Sequence, residues 1–344
     1  MKQKYSLDIG KFVCALFVLF VHANPFGSYS KVLMFGFRNV VGASLLPFFF
    51  ATSGYLLAKK LGSAQNSAEQ NGYMRKYLKR LIQIYLIWSV VYFPFVVVTW
   101  MREGFSIMLV LEYLRDFFFE GSYSTIWFLP ALISGTTIYW LLLKKFSHKQ
   151  VFFISCGVYV ITLLLSSYYG ISMKIPVLSK LAESYYVLFD SVKNGLLCGL
   201  IFLSVGGMVA NESCFLNFSR GKALLGVIIS LALQCFEVLG YMLVGNVKGV
   251  DTTASLVLWG MFTLLFALSF DLKPSNAWTM LRKLSMLLFL TQRIPISVID
   301  LFMEESVIAT NSLANFVAVT LSTFAISFLI LQLSKKLKWL NKIY

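Results

Sequence analysis

SLDIGKFVCALFVLFVHANPF, Ser6–Phe26, is the stretch on which the reading of this chain turns. Its apolar run is long enough to enter a bilayer, yet it opens with an aspartate and a lysine and carries a histidine near its far end. Each of these side chains is costly in hydrocarbon. On an α-helix the 11-residue step from Lys11 to His22 turns about 1,100°, ~20° past three full turns, so the two face the same way. Asp8 and Lys11 are i, i+3 neighbours, and Asp8 to His22 ends ~40° short of four turns. One stripe of the helix therefore carries all three polar groups, with the imidazole ~16 Å along the axis from the ammonium.

The rest of the chain has the same apolar character. Of 344 residues, 58% are apolar and 13% charged, and the mean hydropathy is +0.76, which describes a polytopic membrane protein rather than a pair of soluble domains. Ten segments qualify as spans: 10–27, 40–58, 81–101, 125–143, 150–168, 195–210, 223–244, 254–270, 284–303 and 313–334. Long unbroken runs of this kind predict an all-α fold and argue against a transmembrane barrel.

Ten spans with both termini in the cytoplasm can be tested by counting basic residues. Twenty of the 30 Lys and Arg residues fall in the predicted cytoplasmic segments and eight outside, leaving Lys11 and Arg293 within spans. The net charge of +15 thus collects where anionic lipid headgroups would attract it and does not point to nucleic acid. The five cysteines are scattered through or beside spans with no metal-ligand spacing, so no metal is expected. The amino terminus MKQKYSLD is basic, and no small-residue cleavage signature follows the first apolar run, which predicts a retained helix rather than a signal peptide. Residues 1–344 are read as a single membrane domain. GSAQNSAEQNG, Gly62–Gly72, reads as a flexible polar connector, and the segments 102–124 and 169–194 as outer loops too short to fold alone.

Taken alone, Asp8 can mark a helix start at the positive end of the dipole, and Lys11 can snorkel to the headgroups. His22 is harder to assign to structure. Only two histidines exist, and His148 falls in a basic turn, whereas an intramembrane imidazole points to a cavity or polar partner and suits proton transfer near neutral pH.

The pattern of an acidic residue, a basic residue three on and a histidine eleven further, inside the first of about ten spans, resembles the opening motif of the membrane acyltransferase 3 family. PFFFATSGYLL, Pro47–Leu57, is similar to the aromatic-rich FFxxSGYLL of that family. RKYLKRLIQIYLIW (Arg75–Trp88), IWFLPALI (Ile126–Ile133) and LSMLLFLTQRIP (Leu284–Pro295) resemble its later elements. Lys11 stands where the family commonly has Arg, keeping the charge while losing the bidentate fork, and Gln292 stands where a histidine is common.

The resemblance implies a bacterial cytoplasmic-membrane enzyme that moves an acyl group, usually acetyl from cytoplasmic acetyl-CoA, to a hydroxyl of a carbohydrate or envelope polymer. His22 would then act as general base or brief acyl carrier, with Asp8 and Lys11 paired near the cytoplasmic mouth to orient the thioester or a CoA phosphate. Arg75, Lys76, Lys79 and Arg80 crowd at i, i+3 and i, i+4 spacing, which favours an anionic partner such as CoA and equally fits a positive-inside anchor. Ser53, with Gly54, reads first as helix packing and second as cavity lining. Trp127 reads as an interfacial belt residue or, by resemblance, a cavity wall. Gln292 is placed in the same cavity by its segment. Arg293 and Glu237 each need a partner inside a span, and Arg293 is suited to stabilising an acyl-transfer oxyanion.

A rival reading makes the same stripe the lining of a path for a small polar solute. The membrane half of certain vancomycin-resistance serine racemases is similar to this family and is regarded as an uptake module. The basic cluster separates the two readings, since a carrier of neutral solutes has no use for it.

Overall fold

The structure, a computed structural model, describes residues 4–245, 247–249 and 251–344; Lys2 of the predicted cytoplasmic amino terminus lies outside the described residues. Among these the regular structure is helical throughout, with no strand. In chain order the principal helices are α1 (Tyr5–Ala23), α2 (Lys31–Gly62), α3 (Ser67–Glu103), α4 (Ile107–Phe119), α5 (Phe128–Leu143), α6 (His148–Leu165), α7 (Pro176–Leu188), α8 (Gly195–Asn211), α9 (Arg220–Val244), α10 (Ser255–Leu268), α11 (Asn276–Thr291), α12 (Arg293–Phe302) and α13 (Ser312–Lys336). Alpha-helical turns give way to a π-helical stretch at Phe37–Gly42 within α2 and at Gly195–Gly199 at the start of α8.

Among the described residues, seven segments are long and apolar enough to cross a membrane: α1, α2, α3, α6, the Arg220–Tyr241 part of α9, the α11–α12 pair and α13. The other three predicted spans, α5, α8 and α10, are helical but shorter; α5 has 16 residues and α10 has 14, or about 24 and 21 Å against a ~30 Å hydrocarbon core. Of these, α5 and α10 lose their first residues to a local device. The α5 stretch is preceded by a tight turn in which Gly121, at φ +100°, lies so close to Trp127 that a Cβ there would come within 2.5 Å of the Trp127 Cα. The α10 stretch begins only at Ser255, where the Glu237 carboxylate receives the backbone amides of Ala254 and Ser255.

Two sequence expectations are corrected. The supposed flexible connector is helical from Ser67 onward, because Asn66 Oδ1 accepts from the Glu69 amide and Glu69 itself accepts from the Gln65 amide, a cap that starts α3. The segments 102–124 and 169–194 are likewise structured, carrying the 13-residue helices α4 and α7.

The described residues cluster into two compact units. One holds those of Met1–Leu7, Asn39–Arg75 and Ala131–Leu272. Its centre is the close pairing of α2 with α8, made possible by Gly54 and Gly206: a Cβ on Gly54 would lie 2.0 Å from Leu203 O, and one on Gly206 would lie 1.9 Å from Ala51 O.

The other unit holds Asp8–Arg38, Lys76–Pro130 and Lys273–Tyr344. In its core Leu19 and Ala23 of α1 meet Ile296 and Ile299 of α12 and Val319 of α13, and Phe20 packs on Phe26, Phe37 and Phe316. The ninth predicted span is broken here. Pro295 cannot sit one turn beyond Thr291 without striking its carbonyl, so α11 ends at Thr291 and α12 begins at Arg293. Side chains meet carbonyls around the break, as an apolar surrounding demands: Thr291 Oγ1 donates to Leu287 O, Gln292 Nε2 to Phe289 O and Tyr92 OH to Leu290 O.

Candidate active site

Nine of the eleven candidate residues fall in this second unit. Helix α1 presents Asp8, Lys11 and His22. Asp8 is buried, Lys11 half-buried and His22 exposed. The charges acting on Lys11 are those of Asp8 and Arg282, the first attracting and the second repelling. The Asp8–Lys11 pairing predicted from i, i+3 spacing is thus accompanied by a cation from α11 that the sequence alone did not bring to this end of the stripe.

At the other end of α1, His22 Nδ1 lies 3.3 Å from Gln292 Oε1. Gln292 is fully buried, and its orientation follows from its second bond, because Nε2 donates to Phe289 O at 3.0 Å. That leaves the amide oxygen towards the histidine, and an amide oxygen only accepts. In the neutral imidazole the proton therefore sits on Nδ1 and the basic lone pair on Nε2. The residue standing where the resembling family commonly has histidine thus positions the single histidine of α1.

Arg293 follows Gln292 directly and is half-buried, with its Nε buried and without a hydrogen-bond partner. Tyr92 and Asp300 lie within electrostatic reach of it. Tyr92 stacks on Tyr123 with ring centroids 4.8 Å apart and planes 7° from parallel, and Tyr123 OH shares a 2.6 Å hydrogen bond with Ser297 Oγ. Trp127 is half-buried in the turn against Gly121, and its neighbour Phe128 packs edge-to-face on Phe289. Sequence reasoning missed Tyr92, Tyr123 and Ser297. The signal was present in Tyr85, Trp88 and Tyr92, which recur at i, i+3 and i+7 along one face of α3 and use their polar tips on Phe117 O, Ile343 O and Leu290 O.

Lys76, Lys79 and Arg80 are exposed on α3, and Arg80 also donates to Tyr344 O at 3.2 Å. Arg75 and Ser53 belong to the first unit. Arg75 is exposed there, while the Ser53 hydroxyl donates to Phe49 O of its own helix at 2.8 Å. Glu237, also in that unit, is fully committed to structure. Besides the two α10 amides at 2.7 and 3.1 Å it receives Tyr168 OH at 2.9 Å, Tyr241 OH at 2.5 Å and Ser255 Oγ at 2.8 Å. The five cysteines are unpaired.

Residues 4–332 match the family model described as acyltransferase domain. The chain belongs to that family. It is similar to two amino-acid racemases of Enterococcus faecalis, 28% identical over 340 residues and 29% over 356 residues, covering 98% of this chain and 47% and 46% of theirs. A serine/alanine racemase of Enterococcus gallinarum is 26% identical over 343 residues, again 98% of this chain and 47% of that protein. The chain spans about half the length of these curated relatives. No solved structure matches it significantly.

Proposed function

We propose that this chain is an integral-membrane O-acyltransferase that takes an acyl group, acetyl in the first instance, from acyl-CoA and places it on a hydroxyl of a cell-surface carbohydrate or envelope polymer. The observation that carries the reading is the His22–Gln292 pair: a neutral imidazole that donates from Nδ1 to the Gln292 amide oxygen has its lone pair on Nε2, at the end of a helix whose other end carries Asp8 and Lys11. In the proposed step Nε2 takes the proton of the acceptor hydroxyl while that oxygen attacks the thioester carbonyl. The tetrahedral intermediate then expels the CoA thiolate, which recovers the proton from the imidazolium. Arg293, whose Nε has no partner, supplies a donor to the oxyanion. Lys76 and Lys79, with Arg75 and Arg80, hold the CoA phosphates, and Asp8 and Lys11 orient the donor. No metal enters the scheme.

The test is transfer of labelled acetyl from acetyl-CoA by the full chain in lipid nanodiscs, with CoA release followed in parallel. A protein that binds acetyl-CoA but neither releases CoA nor acylates any hydroxyl compound would overturn the proposal.

A second reading is an amino-acid uptake module on the same fold in the cytoplasmic membrane; the relatives' names supply only the amino-acid ligand class for it. Proteoliposome uptake of labelled L-serine in the absence of any acyl donor would favour it.

A further inference from the structure

Past α13 the chain folds back against the second unit. The helix stops at Lys336, Leu337 leaves the helical conformation at φ −101°, ψ 87°, and Lys338–Lys342 make a short 3₁₀ turn. Within 338–344 the side chains of Leu340, Ile343 and Tyr344 are buried, while Lys338, Trp339 and Lys342 are exposed. The segment is tied to the end of α13 by Asn341 Nδ2, which donates to Ser334 O at 3.1 Å, and by Tyr344 OH, 2.9 Å from Ser334 Oγ.

Its other side meets α3 and α11, all within the same unit. Arg80 donates to Tyr344 O at 3.2 Å, Trp88 Nε1 donates to Ile343 O at 2.8 Å, and Lys283 Nζ lies 5.8 Å from the centre of the Tyr344 ring. Trp88 stands eight residues beyond Arg80, ~12 Å further along α3. Its ring meets that of Tyr92, centroids 5.9 Å apart, and Tyr92 OH reaches Leu290 O, two residues before Gln292. The segment therefore lies between the exposed basic cluster of α3 and the helix break that carries Gln292. Both donors that α3 contributes are spent on main-chain carbonyls, so their recognition of 338–344 does not depend on its side chains. Any chain that carries amide carbonyls meets the same requirement. Trp88 is only 2% exposed, and a buried indole N–H left without an acceptor is disfavoured. The segment can be exchanged only for a ligand that brings an acceptor of its own.

An acyl-CoA carries phosphates at one end, amide carbonyls along its arm and the thioester at the tip. We propose that residues 338–344 form a strap sharing one cleft with the acyl donor: the arm displaces the strap, an amide carbonyl takes over the Trp88 indole N–H and a phosphate takes over Arg80. The ligand's identity rests on the acyl-transfer reading. The proposal adds Trp88 as a contact for the donor's arm, and it gives the protein a closed state when no donor is bound.

Hydrogen exchange of 338–344 is followed by mass spectrometry on the full chain in nanodiscs, with and without saturating acetyl-CoA, and acetyl-CoA affinity is measured by calorimetry. Acetyl-CoA speeds exchange across the strap of the wild-type protein. Leu340→Ser with Ile343→Ser loosens the strap while leaving Trp88 and Arg80 in place. With the strap open in about 10% of wild-type molecules, the double variant binds acetyl-CoA about tenfold more tightly. Trp88→Phe, added to the double variant, keeps the ring, removes the donor and weakens binding about 2- to 13-fold, the scale of one hydrogen bond. A segment that merely braced the fold would give the opposite sign, weaker binding once loosened. Strap exchange that is unchanged or slower with acetyl-CoA bound, or a double variant that binds no more tightly than wild type, would overturn the proposal, and equal affinity with and without Trp88→Phe would overturn the Trp88 contact. A wild-type chain that binds no acetyl-CoA ends the acyl-transfer reading and the strap together, whereas one that binds it with the strap still protected loses the strap alone.

Discussion

Replacing Gln292 by methionine keeps the length and bulk of the side chain while removing both of its hydrogen bonds, the acceptor 3.3 Å from His22 Nδ1 and the donor to Phe289 O. If Gln292 works by holding one tautomer and one ring orientation, the loss equals the net worth of the His22 bond, roughly 0.5–1.5 kcal/mol. At 1.36 kcal/mol per decade this is about a 2- to 13-fold fall in kcat/KM for acyl transfer. Deleting the base itself removes about 10²–10⁴, so the two variants separate cleanly. The assay is continuous CoA release in nanodiscs at saturating acetyl-CoA with the acceptor varied, beside a thermal melt, since the uncovered Phe289 carbonyl costs some stability as well. Full activity in Gln292→Met would show that the pair does not set the tautomer. Activity as low as that of a histidine deletion, with an unchanged melt, would mean that Gln292 takes part in the chemistry and does not merely position the ring.

Glu237→Gln leaves acyl transfer per folded molecule unchanged but lowers stability by about 1–3 kcal/mol, seen as an earlier thermal transition, because a neutral amide cannot accept from the α10 amides and the two tyrosines together. A variant with an unshifted transition would contradict the capping role. Gly206→Ala forces a methyl against the Ala51 carbonyl with no flexible side chain to yield, so destabilisation lies near the upper end of the ~1–3 kcal/mol typical of overpacking. An equally stable, equally well-expressed protein would disprove the close α2–α8 approach. Lys76→Gln with Lys79→Gln weakens acetyl-CoA binding about 2- to 30-fold at low salt, the difference shrinking at high salt, since both side chains are exposed and screened. Unchanged affinity would return them to the role of membrane anchor.

Apolar run lengths alone located every long helix, because in lipid the backbone must satisfy itself and hydrophobicity is the whole signal. Where helices begin and end was less legible. Asn24, Pro295 and the turn at Gly121 shorten or break predicted spans through local stereochemistry, and α10 starts where it does because of a carboxylate from α9, a contact that no window of hydropathy contains. The amphipathic helices α4 and α7 were hidden in segments read as loops. In the site, the stripe on α1 followed from 100° per residue, whereas Gln292 as the partner of His22, 270 positions away, and Arg282 beside Lys11 depend on tertiary packing. Glu237 illustrates the opposite case: an intramembrane carboxylate that sequence reasoning treats as a functional candidate, and that the fold uses as a helix cap.

The central claim, that the His22 imidazole performs the acyl-transfer step, is tested most directly by comparing wild-type protein with His22→Ala and His22→Gln for CoA release from acetyl-CoA in the presence of a hydroxyl acceptor, with acetyl-CoA binding measured on the same samples. The account predicts that both variants bind acetyl-CoA like the wild type and release CoA at least about 100-fold more slowly. Wild-type rates of release in either variant would contradict it.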